Sequence, residues 1–285
     1  MIAVKLNGRL GNQLFQYAFI YATAKKLNTR FYIDKSIEDF LPAKFFNIKK
    51  DIFYPIDKFI FSIKGYKNLF NIHSKKRYYK TLQQVLFRNN IISVQNDLPV
   101  LQQSNQIKDG HIYEGYFQSE KYFEDYKQDI REQLVIKKKY VKAFSEALKD
   151  IPFSVKRVVV HVRRTDYVDL QMSLPLSYYK DAIAAINDAN ALYIFVSDAP
   201  DYIEQEFGYL KNRYVSKNDE ITDLQFLMNA DVCILSNSSF SWWGAWLNNK
   251  TDKVIYAPKN WLGFGTDIEY PLGIAQNQNI NWINS

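Results

Sequence analysis

The sequence predicts an α/β protein with two domains, each built on a doubly wound parallel sheet. The chain has 285 residues. A single hydrophobic core rarely supports a chain of this length, so two domains of roughly 140 residues are expected. Short apolar runs alternate with segments of helical periodicity, most regularly after residue 156. We place the boundary after residue 140, giving domains 1–140 and 141–285, and expect the active site in a cleft between them.

The first domain opens with a strand, a glycine-containing turn and a helix. Residues 3–6 are strand-like, Gly8 and Gly11 follow, and residues 13–27 have apolar positions at helical spacing. Residues 31–34 predict a second strand. This layout directs backbone N–H groups at an anion. The two glycines alone are a weak signal, because the dinucleotide fingerprint and the P-loop lysine are both missing.

The rest of the first domain has a weaker pattern. Residues 40–110 predict only short helices and loops, and residues 113–117 resemble a strand end. Residues 120–134 predict a charged amphipathic helix, and residues 141–148 predict another helix at the domain boundary.

The second half alternates strands with helices at regular spacing. Strands are predicted at residues 158–160, 192–196, 214–215, 232–235 and 253–256, and helices at 177–185, 200–207, 219–230 and 239–247. We expect Trp242, Trp243 and Trp246 in the core, with at most one ring facing the cleft. Cys233 is expected to be a small buried hydrophobe.

Polar residues follow three of these predicted strands. His161, Arg163, Arg164 and Asp166 follow the first, and Asp198 follows the second. In open α/β sheets, ligands bind beyond the carboxyl ends of the strands. Two neighbouring arginines suit a diphosphate, because the guanidinium fork gives bidentate, charge-assisted hydrogen bonds. The alternative is an ordinary strand end with surface charges.

A serine-rich segment follows the strand at residues 232–235. Asn237, Ser238, Ser239 and Phe240 stand where the strand gives way to a helix, and a helix N-terminus attracts anions. These serines also suit simple helix capping. Asp198 could accept two N–H bonds from a guanine edge, or form an Asx turn before the proline at 200.

The net charge of +7 is unevenly placed. Residues 41–90 hold eleven Lys or Arg against two Asp, a local charge of +9, so the rest of the chain carries −2. Such a segment fits an anionic membrane surface, nucleic acid or a solvated face. Basic content alone is a weak cue for nucleic acid, so we expect no nucleic-acid partner and keep peripheral membrane contact as a hypothesis.

Cysteine usage and hydropathy predict a cytoplasmic protein, at most peripheral to the inner face of the membrane. Cys233 is the single cysteine, so no intrachain disulfide can form. No signal-peptide pattern opens the chain, and no run of about 18 apolar residues occurs.

We expect no metal and no other cofactor. His73, His111 and His161 have no ligand spacing to one another. No Asp-x-Asp pair is present to hold a divalent ion on a sugar nucleotide, so arginines must neutralise any departing diphosphate.

Four motifs resemble the bacterial α-1,2-fucosyltransferases, and the resemblance runs over residues 3–262. They are HVRRTD at 161–166, GRLGNQLFQYA at 8–18, SNSSFSWWGAWL at 236–247 and GYFQSEKYF at 115–123. The resemblance implies a GT-B-type fold with two Rossmann-like domains facing a central cleft, the N-terminal domain on the acceptor side and the C-terminal one binding the GDP-sugar. It implies inverting, metal-independent transfer of L-fucose from GDP-L-fucose to a hydroxyl of a terminal galactoside in a surface glycan. One alternative is a glycosyltransferase of the same fold that uses a different GDP-sugar. The other is a non-catalytic binder of an anionic surface or nucleic acid, built around residues 41–90.

The resemblance also assigns roles to residues. Arg163 and Arg164 would face the donor pyrophosphate, with Arg164 at the β-phosphate, and His161 and Asp198 would contact the guanosine. Further donor-site residues would be Gly11, Asn12, Asn237, Ser238, Ser239 and Phe240, with Asn12 reaching toward the sugar or acceptor.

Asp166 has two interpretations. Because it shares a strand end with the arginines, it is the first candidate for the general base that deprotonates the acceptor hydroxyl. It could instead orient Arg163 or Arg164 through an ion pair, and a dissociative route with little help from a base is also open.

Overall fold

The computed structural model describes residues 1–62, 72–149, 151, 155–275 and 280–284. The chain divides into two compact units, Met1–Ile136 and Lys137–Ser285. Each unit has its own parallel sheet. The predicted boundary after residue 140 falls within the first helix of the second unit.

The first unit is built on a four-stranded sheet. Its strands are β1 (Ile2–Lys5), β2 (Phe31–Asp34), β3 (Ile91–Ser93) and β4 (Ile112–Glu114), and its helices are α1 (Leu10–Lys26), α2 (Pro42–Phe45), α3 (Tyr54–Ser62), α4 (Ile72–Phe87), α5 (Val100–Ser104) and α6 (Lys127–Gln133). The strand order is β2-β1-β4-β3, and each neighbouring pair is parallel.

Helix α1 is the central helix of the first unit, and fourteen of its seventeen residues are buried. Phe19 stacks on Phe117 with 3.8 Å between ring centroids and meets Tyr113 edge to face. A helix that is covered all round carries apolar residues on every face. The sequence of α1 therefore indicates that the helix is in the core, but it shows no single buried stripe.

Two predictions in the first unit were wrong in detail. Helix α1 begins at Leu10, not at residue 13. Residues 120–134 form two 3₁₀ turns, Glu120–Tyr122 and Glu124–Tyr126, before α6. Phe123 causes this break: its backbone is non-helical (φ −135°, ψ 19°), and its buried ring packs toward Phe15.

The region predicted as short helices and loops holds more regular structure than expected. Helix α4 has sixteen residues, and β3 adds an edge strand beside β4. Strand β3 has three residues, too few for an alternating pattern to show in the sequence. Residues 63–71 of this region lie outside the described residues.

The second unit has a six-stranded parallel sheet. Its strands are β5 (Arg157–Val162), β6 (Leu192–Ser197), β7 (Arg213–Val215), β8 (Val232–Ile234), β9 (Val254–Pro258) and β10 (Ile280–Ile283), and its helices are α7 (Lys138–Ala147), α8 (Thr165–Asp169), α9 (Leu176–Ile186), α10 (Pro200–Phe207), α11 (Glu220–Met228) and α12 (Ser239–Leu247). The order β10-β9-β8-β5-β6-β7 is the Rossmann order 3-2-1-4-5-6 read in reverse. It places the topological switch point, where such sheets bind ligands, between β5 and β8.

The predicted strands and helices of the second half are confirmed, with two additions. Helix α8 is a single short turn after the arginines, and β10 pairs with β9 through residues that are mostly half-buried or exposed. The three tryptophans of α12 and Cys233 are buried, as predicted. Gly244 lets α12 approach α11 closely, because a Cβ there would lie 2.5 Å from Leu227 Cβ.

Candidate functional site

A buried polar contact links the two strands at the switch point. His161 at the end of β5 has its Nδ1 2.7 Å from Ser236 Oγ after β8. Both side chains are buried, and the Phe240 ring centroid lies 5.4 Å from that of His161. Burial, opposed by the Asp198 charge and aided by the weaker effect of the Arg163 charge, lowers the pKa of His161 to about 3. The imidazole is therefore neutral at physiological pH.

Arg163 is held between two carboxylates. Its guanidinium lies 2.9 Å from Asp198 Oδ2 and 2.6 Å from Asp166 Oδ1. The guanidinium also lies over the Tyr167 ring, 5.5 Å from the centroid. The side chain is only 14% exposed. Two carboxylates balance its charge, so Arg163 braces the loop after β5.

Asp198 joins the end of β6 to this loop. One carboxylate oxygen accepts the Arg164 backbone N–H at 2.8 Å, and the other accepts the Thr165 hydroxyl at 2.5 Å beside Arg163. Burial alone would raise the pKa of Asp198. The hydrogen bonds from Thr165 and Arg164, together with the Arg163 charge, outweigh burial and hold the pKa below its ordinary value. Both carboxylate oxygens thus have partners within the protein.

Arg164 differs from its neighbour in that no ion pair to a described carboxylate engages its guanidinium. Its Cζ lies 4.2 Å from the centroid of the Tyr202 ring, and the residue is half-buried. A cation that stacks on an aromatic ring keeps its charge and its N–H donors. Arg164 is therefore the arginine at this sheet edge that can engage an added anion.

Asp166 lies in the first turn of α8, 2.6 Å from Arg163, with 47% of its side chain exposed. This position supports the orienting interpretation. Asp166→Asn should lower kcat/KM by less than about tenfold, because an exposed ion pair is worth roughly 1 kcal/mol and Arg163 keeps Asp198. Steady-state kinetics with GDP binding measured in parallel would check this. A loss of kcat above about 10²-fold with GDP binding intact would identify a general base instead.

The serine segment caps α12 and leaves two residues half-exposed. Ser238 is the N-cap residue, and its Oγ accepts the Phe240 N–H at 3.3 Å. Asn237 is buried, and its Nδ2 donates to the Met172 carbonyl at 2.8 Å. Ser239 and Phe240, in the first turn, are half-buried. Capping is therefore the role of Ser238, while the next two residues border the helix N-terminus.

In the first unit, the predicted residues Gly11 and Asn12 lie in the first turn of α1. Gly11 is buried, and Asn12 accepts a hydrogen bond of 2.8 Å from Gln118 Nε2. The turn before them needs glycine, because Gly8 has φ +81° and a Cβ there would lie 2.5 Å from Asn12 Nδ2.

Two buried glutamines fix this turn, and sequence reasoning missed both. Gln13 Nε2 donates to the Gly8 carbonyl at 3.0 Å, and its Oε1 accepts the Leu41 N–H at 2.8 Å. Gln16 accepts the Asn7 N–H at 3.2 Å and donates to the Gly115 carbonyl at 2.9 Å. Two glutamines three residues apart in an otherwise apolar helix were the available signal, since buried amides must find partners.

Asp223 is a titratable group near the end of β7, with Ser216 Oγ 2.5 Å from its Oδ1. Burial, together with nearby Asp219, raises its pKa to about 7 against the opposing hydrogen bond from Ser216. A folded-state pKa above the ordinary 3.8 means that the protonated form stabilises the fold. This contribution is complete below about pH 4 and is lost as pH rises through 7.

Asp223→Asn should therefore gain stability relative to the wild type as pH rises from 5 to 8, by at most about 3 kcal/mol. Urea unfolding of both proteins at several pH values would measure the difference. A difference that does not change with pH would show that Asp223 titrates as an ordinary surface carboxylate.

Metal-ligand clusters and membrane-spanning helices are both absent from the described residues. No three His, Cys, Asp or Glu side chains gather into a group that could hold a metal ion. No helix in that part of the chain is both long enough and apolar enough to span a membrane.

Known proteins with similar sequences are glycosyltransferases. A protein of Escherichia coli, the O-antigen biosynthesis glycosyltransferase WbnK, is 27% identical over 294 residues, covering 90% of this chain and 93% of that protein. An alpha-1,2-colitosyltransferase of the same organism is 26% identical over 303 residues, covering 92% of each chain.

The fold matches solved fucosyltransferases. The fucosyltransferase NodZ from Bradyrhizobium has a TM-score of 0.54 at 12% identity, covering 86% of this chain and 91% of its own. This likeness shows a GT-B-type α/β fold, as predicted. The sequence model of glycosyl transferase family 11 matches residues 1–283. With that match over nearly its whole length, the chain belongs to glycosyl transferase family 11 and is a glycosyltransferase.

Proposed function

We propose that the enzyme is an α-1,2-fucosyltransferase that moves L-fucose from GDP-L-fucose to a hydroxyl of a terminal galactoside in a surface glycan, inverting the anomeric centre. The observation that carries the donor assignment is Arg164 after β5, whose half-buried guanidinium stacks on Tyr202 and forms no ion pair with a described carboxylate. The family and the O-antigen relative support a glycan acceptor.

The chemistry breaks the bond between the sugar and the diphosphate, so negative charge develops on the departing GDP. Arg164 and the N-terminus of α12 would stabilise that charge in a preorganised way, which is usually the largest contribution to catalysis. Arg163, fixed by Asp166 and Asp198, would hold the loop that presents Arg164.

The neutral His161 and the residues around Phe240 would form the guanosine side of the pocket. Asp198 would contact guanine only by sharing oxygens that already accept protein hydrogen bonds. On the first unit, Gly11 and Asn12 would serve the sugar or the acceptor.

The acceptor hydroxyl needs less help from a base if the donor bond breaks early. Since Asp166 is engaged by Arg163, we propose a dissociative reaction. The sugar–phosphate bond breaks first with its electron pair going to GDP, the acceptor oxygen then bonds to the anomeric carbon, and its proton passes last to solvent water. We propose that the reaction needs no metal ion and no other cofactor.

A second candidate donor is GDP-colitose, favoured by the similarity to an alpha-1,2-colitosyltransferase. Colitose is L-fucose without the 3-hydroxyl, so the two donors differ by one hydrogen-bonding group. A site that hydrogen-bonds a substrate hydroxyl can reject the analogue without it by about 10⁴-fold.

Incubating the purified protein with GDP-L-fucose, GDP-colitose or GDP-mannose and a panel of galactosides would test the proposal. We expect GDP release and an α-1,2-linked product with GDP-L-fucose, unchanged by EDTA. Preference for GDP-colitose would favour the second candidate. Absence of turnover with every GDP-sugar, or a requirement for added metal, would contradict the proposal.

We also propose that this protein is cytoplasmic and that residues 41–90 contact the anionic inner face of the membrane. Lys49 and Lys50 are exposed and border a pocket that Ile52 also lines. Ile56 and Phe59 of α3 are 49% and 69% exposed. Basic residues beside apolar ones suit an anionic bilayer surface. Lys64 and Lys67 of this segment lie outside the described residues.

Sedimentation with phosphatidylglycerol vesicles would test the membrane contact. The double variant Lys49→Glu, Lys50→Glu should lower vesicle affinity at least about tenfold, because each basic residue near such a surface contributes about 1 kcal/mol. The variant Lys180→Glu, Lys217→Glu changes the net charge equally on the second unit and should bind normally. Equal losses of vesicle affinity in both variants would show that only the net charge matters. That result would contradict a specific membrane-binding surface at residues 41–90.

A further inference from the structure

Residues 198–202 hold Arg164 at two points. Asp198 accepts its backbone N–H at 2.8 Å, and the Tyr202 ring lies 4.2 Å from its guanidinium carbon. Helix α10 begins at Pro200, directly after these strand-end residues, and brings Tyr202 to Arg164 in its first turn. Backbone and side chain of Arg164 are thus both fixed by the segment that follows β6.

The two neighbouring arginines are fixed by opposite means. The carboxylates around Arg163 engage both of its terminal nitrogens and balance its charge. An aromatic face contacts a guanidinium from above, so the donors at its rim stay available for a bidentate anion. A long arginine side chain loses about 2 kcal/mol of rotamer entropy when it is immobilised. A ring that restricts the guanidinium beforehand reduces that cost upon binding.

We propose that Tyr202 is a positioning residue that holds the Arg164 guanidinium ready for the diphosphate of the donor. This inference rests on the proposed function, because it takes a nucleoside diphosphate as the ligand. The ring carries the effect and the hydroxyl does not, since the contact is between the guanidinium carbon and the ring face. Tyr202 acts through Arg164 and need not touch the sugar or the acceptor.

Calorimetric titration with GDP and with guanosine would test the proposal in the wild type, Tyr202→Phe, Tyr202→Leu, Arg164→Ala and the double variant Arg164→Ala, Tyr202→Leu. Tyr202→Leu should weaken GDP binding about five- to tenfold, and Tyr202→Phe should stay within twofold of the wild type. Guanosine should bind all five proteins equally. In the Arg164→Ala background, Tyr202→Leu should cause no further loss.

Tyr209→Leu serves as a matched control, because Tyr209 is 60% exposed just after the same helix. Tyr202→Leu could weaken GDP binding equally in the presence and absence of Arg164, or weaken guanosine binding as much as GDP binding. Either result would overturn the positioning role and leave a structural one. A wild-type protein that binds no GDP would overturn the proposed function itself. A wild type that binds GDP, with Tyr202→Leu unaffected, would overturn this inference alone.

Discussion

Replacing Arg164 by alanine is expected to lower kcat/KM for the sugar nucleotide by about 10²- to 10³-fold, the effect of removing one preorganised donor to a developing anion. Arg164 has this role because its guanidinium stacks on Tyr202 without a carboxylate partner among the described residues. The fold should tolerate the change, since the Arg164 contact with Asp198 runs through the backbone N–H. Initial rates of GDP release at varied donor concentration would measure the loss.

Two further variants sharpen this prediction. Arg164→Lys keeps the charge but loses the planar fork, so it should recover only part of the activity. Arg77→Ala removes an exposed arginine of α4 in the first unit and should have wild-type kinetics. A folded Arg164→Ala protein with normal turnover would refute the diphosphate role of this residue.

Asp198→Ala should both destabilise the second unit and reduce transfer by about 10²-fold. The carboxylate accepts the Arg164 N–H and the Thr165 hydroxyl and pairs with Arg163. Removing one partner of a buried ion pair costs about 3 kcal/mol, because the other charge stays buried. Asp166 remains beside Arg163 and limits that cost. Urea unfolding and donor kinetics would measure the two effects.

Asp198→Asn separates charge from geometry at the same position. An amide can accept one of these hydrogen bonds but cannot balance the Arg163 charge, so an intermediate loss is expected. The pKa of Asp198 lies below its ordinary value. Its stabilising contribution is therefore present above about pH 4 and is lost as pH falls through the folded-state pKa. An alanine variant as stable as the wild type at pH 7 would contradict the bracing role.

The sheet of the second unit was predictable because its inner strands β5, β6 and β8 are buried on both faces. These three strands appear in the sequence as apolar segments followed by polar residues. The parallel topology then brings His161 and Ser236 together, although they are 75 positions apart. Strand β10 was missed because it has no comparable apolar run.

The different roles of Arg163 and Arg164 could not be predicted. Arg163 and Arg164 lie beyond the last residue of β5, where the Arg164 backbone is not extended (φ −128°, ψ −69°), so strand alternation does not show which neighbour each arginine meets. Those neighbours, Asp198 and Tyr202, come from the segment after β6. The ambiguity of Asp166 has the same origin, since its partner depends on how α8 turns the chain.

In the first unit, the residues that fix the glycine turn could not be predicted for a related reason. Its main helix is buried on all sides, so no amphipathic stripe shows which face carries function. Gln13 and Gln16 belong to the glycine-turn motif, yet their partners are backbone groups of Gly8, Leu41, Asn7 and Gly115. Only the assembled sheet shows that these two amides fix the turn.

A crystal structure of the protein with bound GDP would test the central claim most directly. We expect a diphosphate within hydrogen-bond distance of the Arg164 guanidinium and of the first N–H groups of α12. We also expect Arg163 to stay paired with Asp198 and the Tyr202 ring to stay stacked on Arg164. A diphosphate bound by Arg163 with Asp198 displaced, or GDP bound away from the β5–β8 switch point, would contradict it.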